Sequence, residues 1–201
     1  MQLLNSSAKY GALSIGIHWL MFFLLVAVYA CIELREFYPK GSNVREAFKT
    51  WHFMLGLTVF ILVLLRLMLR FSQQHPAIKP PLIQWQLIAA KTTHIVLYLL
   101  MFSMPILGWL ILSSEGKAIP FYGLTLPALI AESEHNAELI ETIHTTFGTF
   151  GYFLIGFHTL AALFHHYLVK DNTLLRILPI RSKKHKQCIA KRNKNVNFTG
   201  K

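Results

Sequence analysis

Apolar positions fall into four long runs, about residues 13–32, 51–69, 87–112 and 143–169, separated by polar and turn-forming stretches. About 20 such residues, rising 1.5 Å each, carry a helix across a bilayer, so every run is long enough to span. Pro39, Gly41, Ser42 and Asn43 signal a turn after the first run. Pro76, Pro80 and Pro81 exclude regular helix throughout 72–86, which reads as a loop. Pro105 and Gly108 predict a kink inside the third run. The connection 113–141 has five Glu and one Lys, and its stretch Ile119–Ile130 reads as re-entrant or surface-lying. The first run is too long for a cleavable signal peptide, contains His18 and lacks a small-residue cleavage site. The expected fold is an all-α membrane protein, a four-transmembrane-helix bundle over residues 1–180. Residues 181–201 follow as a basic tail with the composition of a disordered segment.

Composition supports that reading: 54% of the 201 residues are hydrophobic and the mean hydropathy is +0.44. The formal net charge of +11 does not point to nucleic acid, because ten of the 20 Lys and Arg lie between Lys170 and Lys201, after the last run. That placement suits inner-leaflet lipid contact and topology setting. With an even number of helices, both termini share one side, and the tail's charge makes it the cytoplasmic side. The first loop, with Arg35, Lys40, Arg45 and Lys49, argues more weakly for the opposite orientation. Cys31 then falls at the outer end of the first helix and Cys188 in the tail, too far apart to pair within one chain. There is no C-x-x-C-H motif, so any haem is held without covalent attachment, as a b-type haem.

Histidines at membrane depth are costly and default to a functional reading. The fourth run carries His144 and His158, fourteen positions apart, which puts them within roughly 40° of one helix face and about 21 Å apart along the axis. Gly148, Gly151 and Gly156 lie around the line joining them, where a flat macrocycle could approach the backbone. The second and fourth helices run inward, so His52 and His144 share the outer depth; His18 and His158 share the inner depth, with His94 the rival for that pair. Two transverse pairs predict two stacked haems b, each between two neutral imidazoles. A zinc site is disfavoured, since neither depth offers a third or fourth ligand at H-x-x-x-H spacing. Arg66 and Arg70, at the inner end of the second helix, are either snorkelling anchors or contacts to a haem propionate. His165, His166 and His94, with Lys91, Lys170 and Asp171 as neighbours, are candidates for binding a quinone near the inner interface.

The residues also carry a family resemblance. I-G-I-H-W at 15–19, E-L-R-E-F-Y-P at 33–39, R-L-M-L-R at 66–70, H-I-V-L-Y-L-L at 94–100 and Y-G-L-T-L-P at 122–127 are part of it. G-Y-F-L-I-G-F-H at 151–158 and H-H-Y-L-V-K-D-N-T-L-L-R at 165–176 are its most specific blocks. Over about residues 8–180 the chain resembles the prokaryotic cytochrome b561 family, and most of all its short superoxide:ubiquinone oxidoreductase members. The resemblance implies haem axial ligation by His18, His52, His144 and His158, an oxidoreductase that takes electrons from superoxide at the outer face, and ubiquinone as acceptor. The tail after Arg181 goes beyond the family's usual end and is given no catalytic part. The alternative is a non-catalytic electron-transfer subunit that relays electrons from a partner dehydrogenase or hydrogenase to quinone. If superoxide is the donor, the outer cations Arg35, Lys40, Arg45, Lys49 and Lys117 are the groups that could steer it, and Arg45 and Lys49 lie nearest His52 in sequence.

Overall fold

In a computed structural model, which describes residues 2–7 and 9–179, the four apolar runs form α1 (Ala12–Leu34), α2 (Asn43–Ser72), α3 (Gln84–Ser114) and α4 (Glu134–Phe164). All four are long and apolar enough to cross a membrane. The proposed tail, 181–201, and Cys188 lie outside the described residues. Two helices start about a turn or more before their apolar runs. Ser42 Oγ accepts the Arg45 amide at the start of α2, and Ser133 Oγ accepts the Asn136 amide at the start of α4. Such caps satisfy amides that the first turn leaves unpaired, so the helices extend into polar sequence that periodicity alone assigns to loop.

The connection expected to be re-entrant or surface-lying is a short β-hairpin. Its strands β1 (Ile119–Phe121) and β2 (Leu124–Leu126) pair antiparallel with Ile119 opposite Leu126. Gly123, at φ 87°, supplies the turn. Ile119 is buried against Leu57 and Leu112, while the Tyr122 hydroxyl meets Thr58 Oγ1 at 3.0 Å. The hairpin thus folds down beside α2 and marks one end of the bundle, here called the hairpin end. At the opposite, terminal end, the 73–83 loop is tied to both chain ends. Asn5 N–H donates to Gln73 Oε1 (2.9 Å), Lys79 N–H to Asn172 Oδ1 (2.9 Å), and Trp19 Nε1–H to the Ile177 carbonyl (2.9 Å).

Helix packing follows chain order: α1 on α2, α2 on α3, and α3 on α4. The backbones of α1 and α4 make no comparable contact, so the bundle is open along that seam. Few side chains are buried, and Phe153, Phe157, Leu160 and Leu168 are well exposed. A lipid-facing surface accounts for this, because in a bilayer apolar exposure costs nothing and helices associate through close packing and polar contacts.

Candidate functional site

At the hairpin end, α2 and α4 bring His52 and His144 together with ring centroids 6.2 Å apart and planes at 72°. The spacing has a chemical meaning. An imidazole–metal bond is about 2 Å, so two rings on opposite sides of one metal atom have centroids roughly 6 Å apart. His52 Nδ1–H donates to the Val28 carbonyl (2.9 Å), which fixes the tautomer and leaves Nε2 free. His144 Nδ1 is buried and faces the Met104 carbonyl without a hydrogen bond of standard geometry. The two rings line a cavity of about 320 Å³ with Tyr29, Gly56, Gly108 and Gly148. A Cβ on Gly56 would meet nothing within 4 Å, and one on Gly108 would touch His144 Cε1 at 3.6 Å. These residues fit a flat, iron-centred macrocycle held between two imidazoles.

The terminal-end tier is more crowded. His18 lies within electrostatic reach of Arg66, His94 and His158. His94 and His158 meet edge to face with centroids 5.3 Å apart, closer than the spacing that admits a metal atom between them. His94 Nδ1–H donates to the Ala90 carbonyl at 2.6 Å. Arg66 Nε–H donates to the Tyr98 hydroxyl (3.2 Å) and Arg70 lies over the same ring at 5.9 Å. Neither guanidinium forms an ion pair among the described residues. Both arginines are therefore held on an aromatic residue with their charge unmatched, an arrangement open to a carboxylate. Among the described residues no cluster of three or more His, Cys, Asp or Glu could hold a bare metal ion.

The glycine line on α4 does not serve one purpose. A Cβ on Gly151 would overlap the hydroxyl oxygen of Tyr29, which reaches across from α1 to donate to the Gly148 carbonyl (2.9 Å). Tyr29 also stacks on Tyr152 at 4.3 Å, and the Tyr152 hydroxyl donates to Glu33 Oε1 (2.6 Å). Gly151 thus admits a tyrosine that bridges the open seam, while a Cβ on Gly156 would meet nothing within 4 Å. This network joins α1 to α4 beside the hairpin-end cavity, which Tyr29, Glu33, Gly148 and Tyr152 all line. Sequence reasoning missed it, because an aromatic in an apolar run looks like any lipid-facing residue.

The cations at the hairpin end divide into two groups. Arg45 is a clamp: Nη1 donates to the Arg35 and Tyr38 carbonyls (3.1 and 3.0 Å) and Nη2 to both Glu36 oxygens (2.9 and 3.0 Å). Arg35 also pairs with Glu36, and Lys117 with Glu115, each at 3.0 Å. Lys49 lines the cavity, 6.0 Å from the Phe53 ring and without an ion pair among the described residues; Arg35, Glu33, Glu115 and Glu141 line it too. Beyond the terminal end of α4, His165–Val169 form a π-helical turn that stops at Lys170 in a left-handed conformation, φ 58°. His165 Nδ1–H donates to Asp171 Oδ2 at 2.6 Å, and His166 Nδ1 is buried with no hydrogen-bond partner among the described residues. His94 belongs to the histidine tier, whereas His165 and His166 sit on this turn about two turns further along.

Two tiers of imidazoles inside an all-α membrane bundle, one at metal-bridging distance beside a slot left open by glycines, describe a haem-binding membrane electron carrier. The chain belongs to the prokaryotic cytochrome b561 family, whose model matches residues 9–179. It is 37% identical to "Cytochrome b561 homolog 1" of Escherichia coli K12, over 86% of this chain and 98% of that protein. It is 36% identical to "Probable superoxide oxidase CybB" of Yersinia pestis, over 85% and 96%. "Cytochrome b561 homolog 2" of E. coli K12 is 27% identical over 89% and 95%. The protein is accordingly a bacterial multi-pass membrane protein of a b-haem electron-transfer family.

Proposed function

We propose that the protein oxidises superoxide to dioxygen at the hairpin end and passes the electrons through two haems b to ubiquinone at the terminal end. In this reading His52 and His144 would hold one haem and His18 and His158 the other. Arg66 and Arg70 would pair with the haem carboxylates. The hairpin end faces outward and both termini are cytoplasmic, as the Lys and Arg distribution favours. The observation that carries the reading is the His52–His144 pair, at metal-bridging distance in a cavity that Lys49 lines. The relative named a probable superoxide oxidase supports the choice of donor.

Bound haem supplies one-electron redox chemistry, so the polypeptide needs no nucleophile and no open metal position. The bond from His52 to the Val28 carbonyl holds one imidazole in its ligating tautomer, and the apolar walls around the cavity keep water from it. Lys49, without an ion pair among the described residues in a lining shared with Arg35, Glu33, Glu115 and Glu141, is the group that attracts a small anion. His165 and His166, about 10 Å beyond His158 at 1.5 Å per residue, offer a quinone carbonyl a hydrogen bond and a proton. Two superoxide ions release two electrons and two dioxygen molecules, and one quinone takes up those electrons with two protons. The test is superoxide-driven haem reduction followed by quinone-dependent reoxidation in purified protein. Reduction no faster without superoxide dismutase than with it would assign the donor role to something else, a partner protein foremost.

A further inference from the structure

We infer that Asp171 is a positioning residue for His165: it anchors Nδ1 so that Nε2 is presented as the proton donor to a reduced quinone. The inference rests on the quinone site proposed above. Its basis is the construction at the end of α4. The helix loosens into the His165–Val169 π turn, Lys170 takes a left-handed conformation, and the chain folds back until the Asp171 amide donates to the His165 carbonyl (3.2 Å). This return puts the Asp171 carboxylate against the His165 ring. Oδ2 accepts from His165 Nδ1 at 2.6 Å and Oδ1 accepts the Thr173 amide at 2.7 Å.

Asp171 is 3% exposed, a buried carboxylate where few polar residues among those described are buried. Burial alone would raise its affinity for a proton, but hydrogen bonds from Thr173 and His165 more than offset that and hold it below its ordinary value of 3.8. Asn172 is fixed in turn by reciprocal hydrogen bonds with the Lys79 backbone, and the rest of the segment by Trp19 on the Ile177 carbonyl. Among the described residues His165 Nε2 has no hydrogen-bond partner. An ordinary helix stop needs none of this, since a left-handed residue and one amide–carbonyl bond suffice.

The chemistry balances. With both ring nitrogens protonated, the imidazolium charge is matched by the Asp171 carboxylate. Nε2 gives its proton to an oxygen of the quinone as the electrons arrive, leaving a neutral ring whose Nδ1–H still bonds Oδ2. Water on the terminal side then reprotonates Nε2 and supplies the second proton, to the other quinone oxygen. Asp171 keeps the ring from rotating and from adopting the tautomer that would bury its donor.

The experiment is rapid mixing of dithionite-reduced holoprotein with decylubiquinone, following haem reoxidation. Asp171→Asn keeps an oxygen acceptor but removes the charge. It should lower the saturating rate by roughly 10- to 100-fold with the half-saturating quinone concentration nearly unchanged and the haem spectrum intact. His165→Gln should be impaired to a similar degree, and the double variant no further. Equal saturating rates in wild type and Asp171→Asn would overturn the positioning role while leaving the quinone reading in place. Wild-type protein that decylubiquinone does not reoxidise would remove both. If Asp171→Asn fails to fold, the unmutated protein decides: with ¹³C-labelled aspartate, its carboxylate infrared bands should shift when quinone is added, and unshifted bands would refute the inference.

Discussion

Replacing Gly151 by alanine tests whether the α4 glycines make room for the macrocycle or for a tyrosine. The new Cβ would overlap the Tyr29 hydroxyl oxygen and come to 3.1 Å from Leu100 Cδ2. Overpacking of this kind costs about 1–3 kcal/mol. Driving Tyr29 away also breaks its bond to the Gly148 carbonyl, worth about 0.5–1.5 kcal/mol. Against these stands a gain of about 0.5–1 kcal/mol for alanine over glycine in a helix. The net is a destabilisation of about 2 kcal/mol, which for a chain of this size lowers the melting temperature by about 4–8 °C. In a Tyr29→Phe background the arithmetic changes. The overlapping oxygen is gone, its hydrogen bond is already lost, and the nearest ring atom, Cζ, lies at an ordinary 3.5 Å from the new methyl. There Gly151→Ala should be close to neutral, so the two substitutions couple by about 2 kcal/mol. Thermal unfolding of the four purified variants, followed by tryptophan fluorescence and the Soret band, measures the cycle. An equal penalty in both backgrounds, together with a disturbed haem spectrum, would show that Gly151 faces the macrocycle and that Tyr29 is incidental.

Three further outcomes are expected. A pyridine haemochrome assay should find about two haems per chain; His144→Ala should lose the hairpin-end haem and His158→Ala the other, whereas loss of the second haem in His94→Ala but not in His158→Ala would reassign that ligand. Lys49→Gln should slow superoxide-driven haem reduction by several-fold at low ionic strength, an effect that fades with salt. Arg45→Gln should instead lower stability by releasing its clamp on 35–38, and rate losses confined to Arg45→Gln would contradict this division of roles. Because the Asp171 carboxyl is held below its ordinary value of 3.8 when folded, its contribution to stability is complete above that pH and is lost as pH falls through the depressed value. The melting-temperature gap between wild type and Asp171→Asn should therefore hold at pH above that ordinary value and narrow as pH falls below it.

Much of the architecture was legible without coordinates. Four spans follow from run length alone, because a bilayer requires about 20 apolar residues whatever their neighbours are. The depth of each histidine follows from rise per residue, so His52 and His144 could be matched across the bundle before any contact was known. What sequence could not supply was azimuth and long-range contact. His18, His94 and His158 share a depth, and only packing puts His94 edge to face with His158 at 5.3 Å. Helices gained length at Ser42 and Ser133 through caps that were present as sequence signals but outweighed by the polarity around them. The hairpin at Ile119–Leu126 depends on Ile119 being buried against Leu57 of α2, 62 residues earlier in the chain, as well as against Leu112 of the neighbouring α3.

The same division separates the two readings of the glycines and of the cations. Spacing put Gly151 on the face between the histidines, but whether a ring of haem or a ring of tyrosine fills that face depends on a residue 122 positions away on α1. Charge counting made Arg45 and Lys49 equivalent; the fold pairs one with Glu36 and leaves the other lining the cavity. Sequence by itself determined composition, span, depth and family, because these depend on local chemistry and on regular helical geometry. Tertiary structure decided which side chains face each other, because the rotation of each helix about its axis is set by packing against its neighbours, and helical periodicity says nothing of the partner.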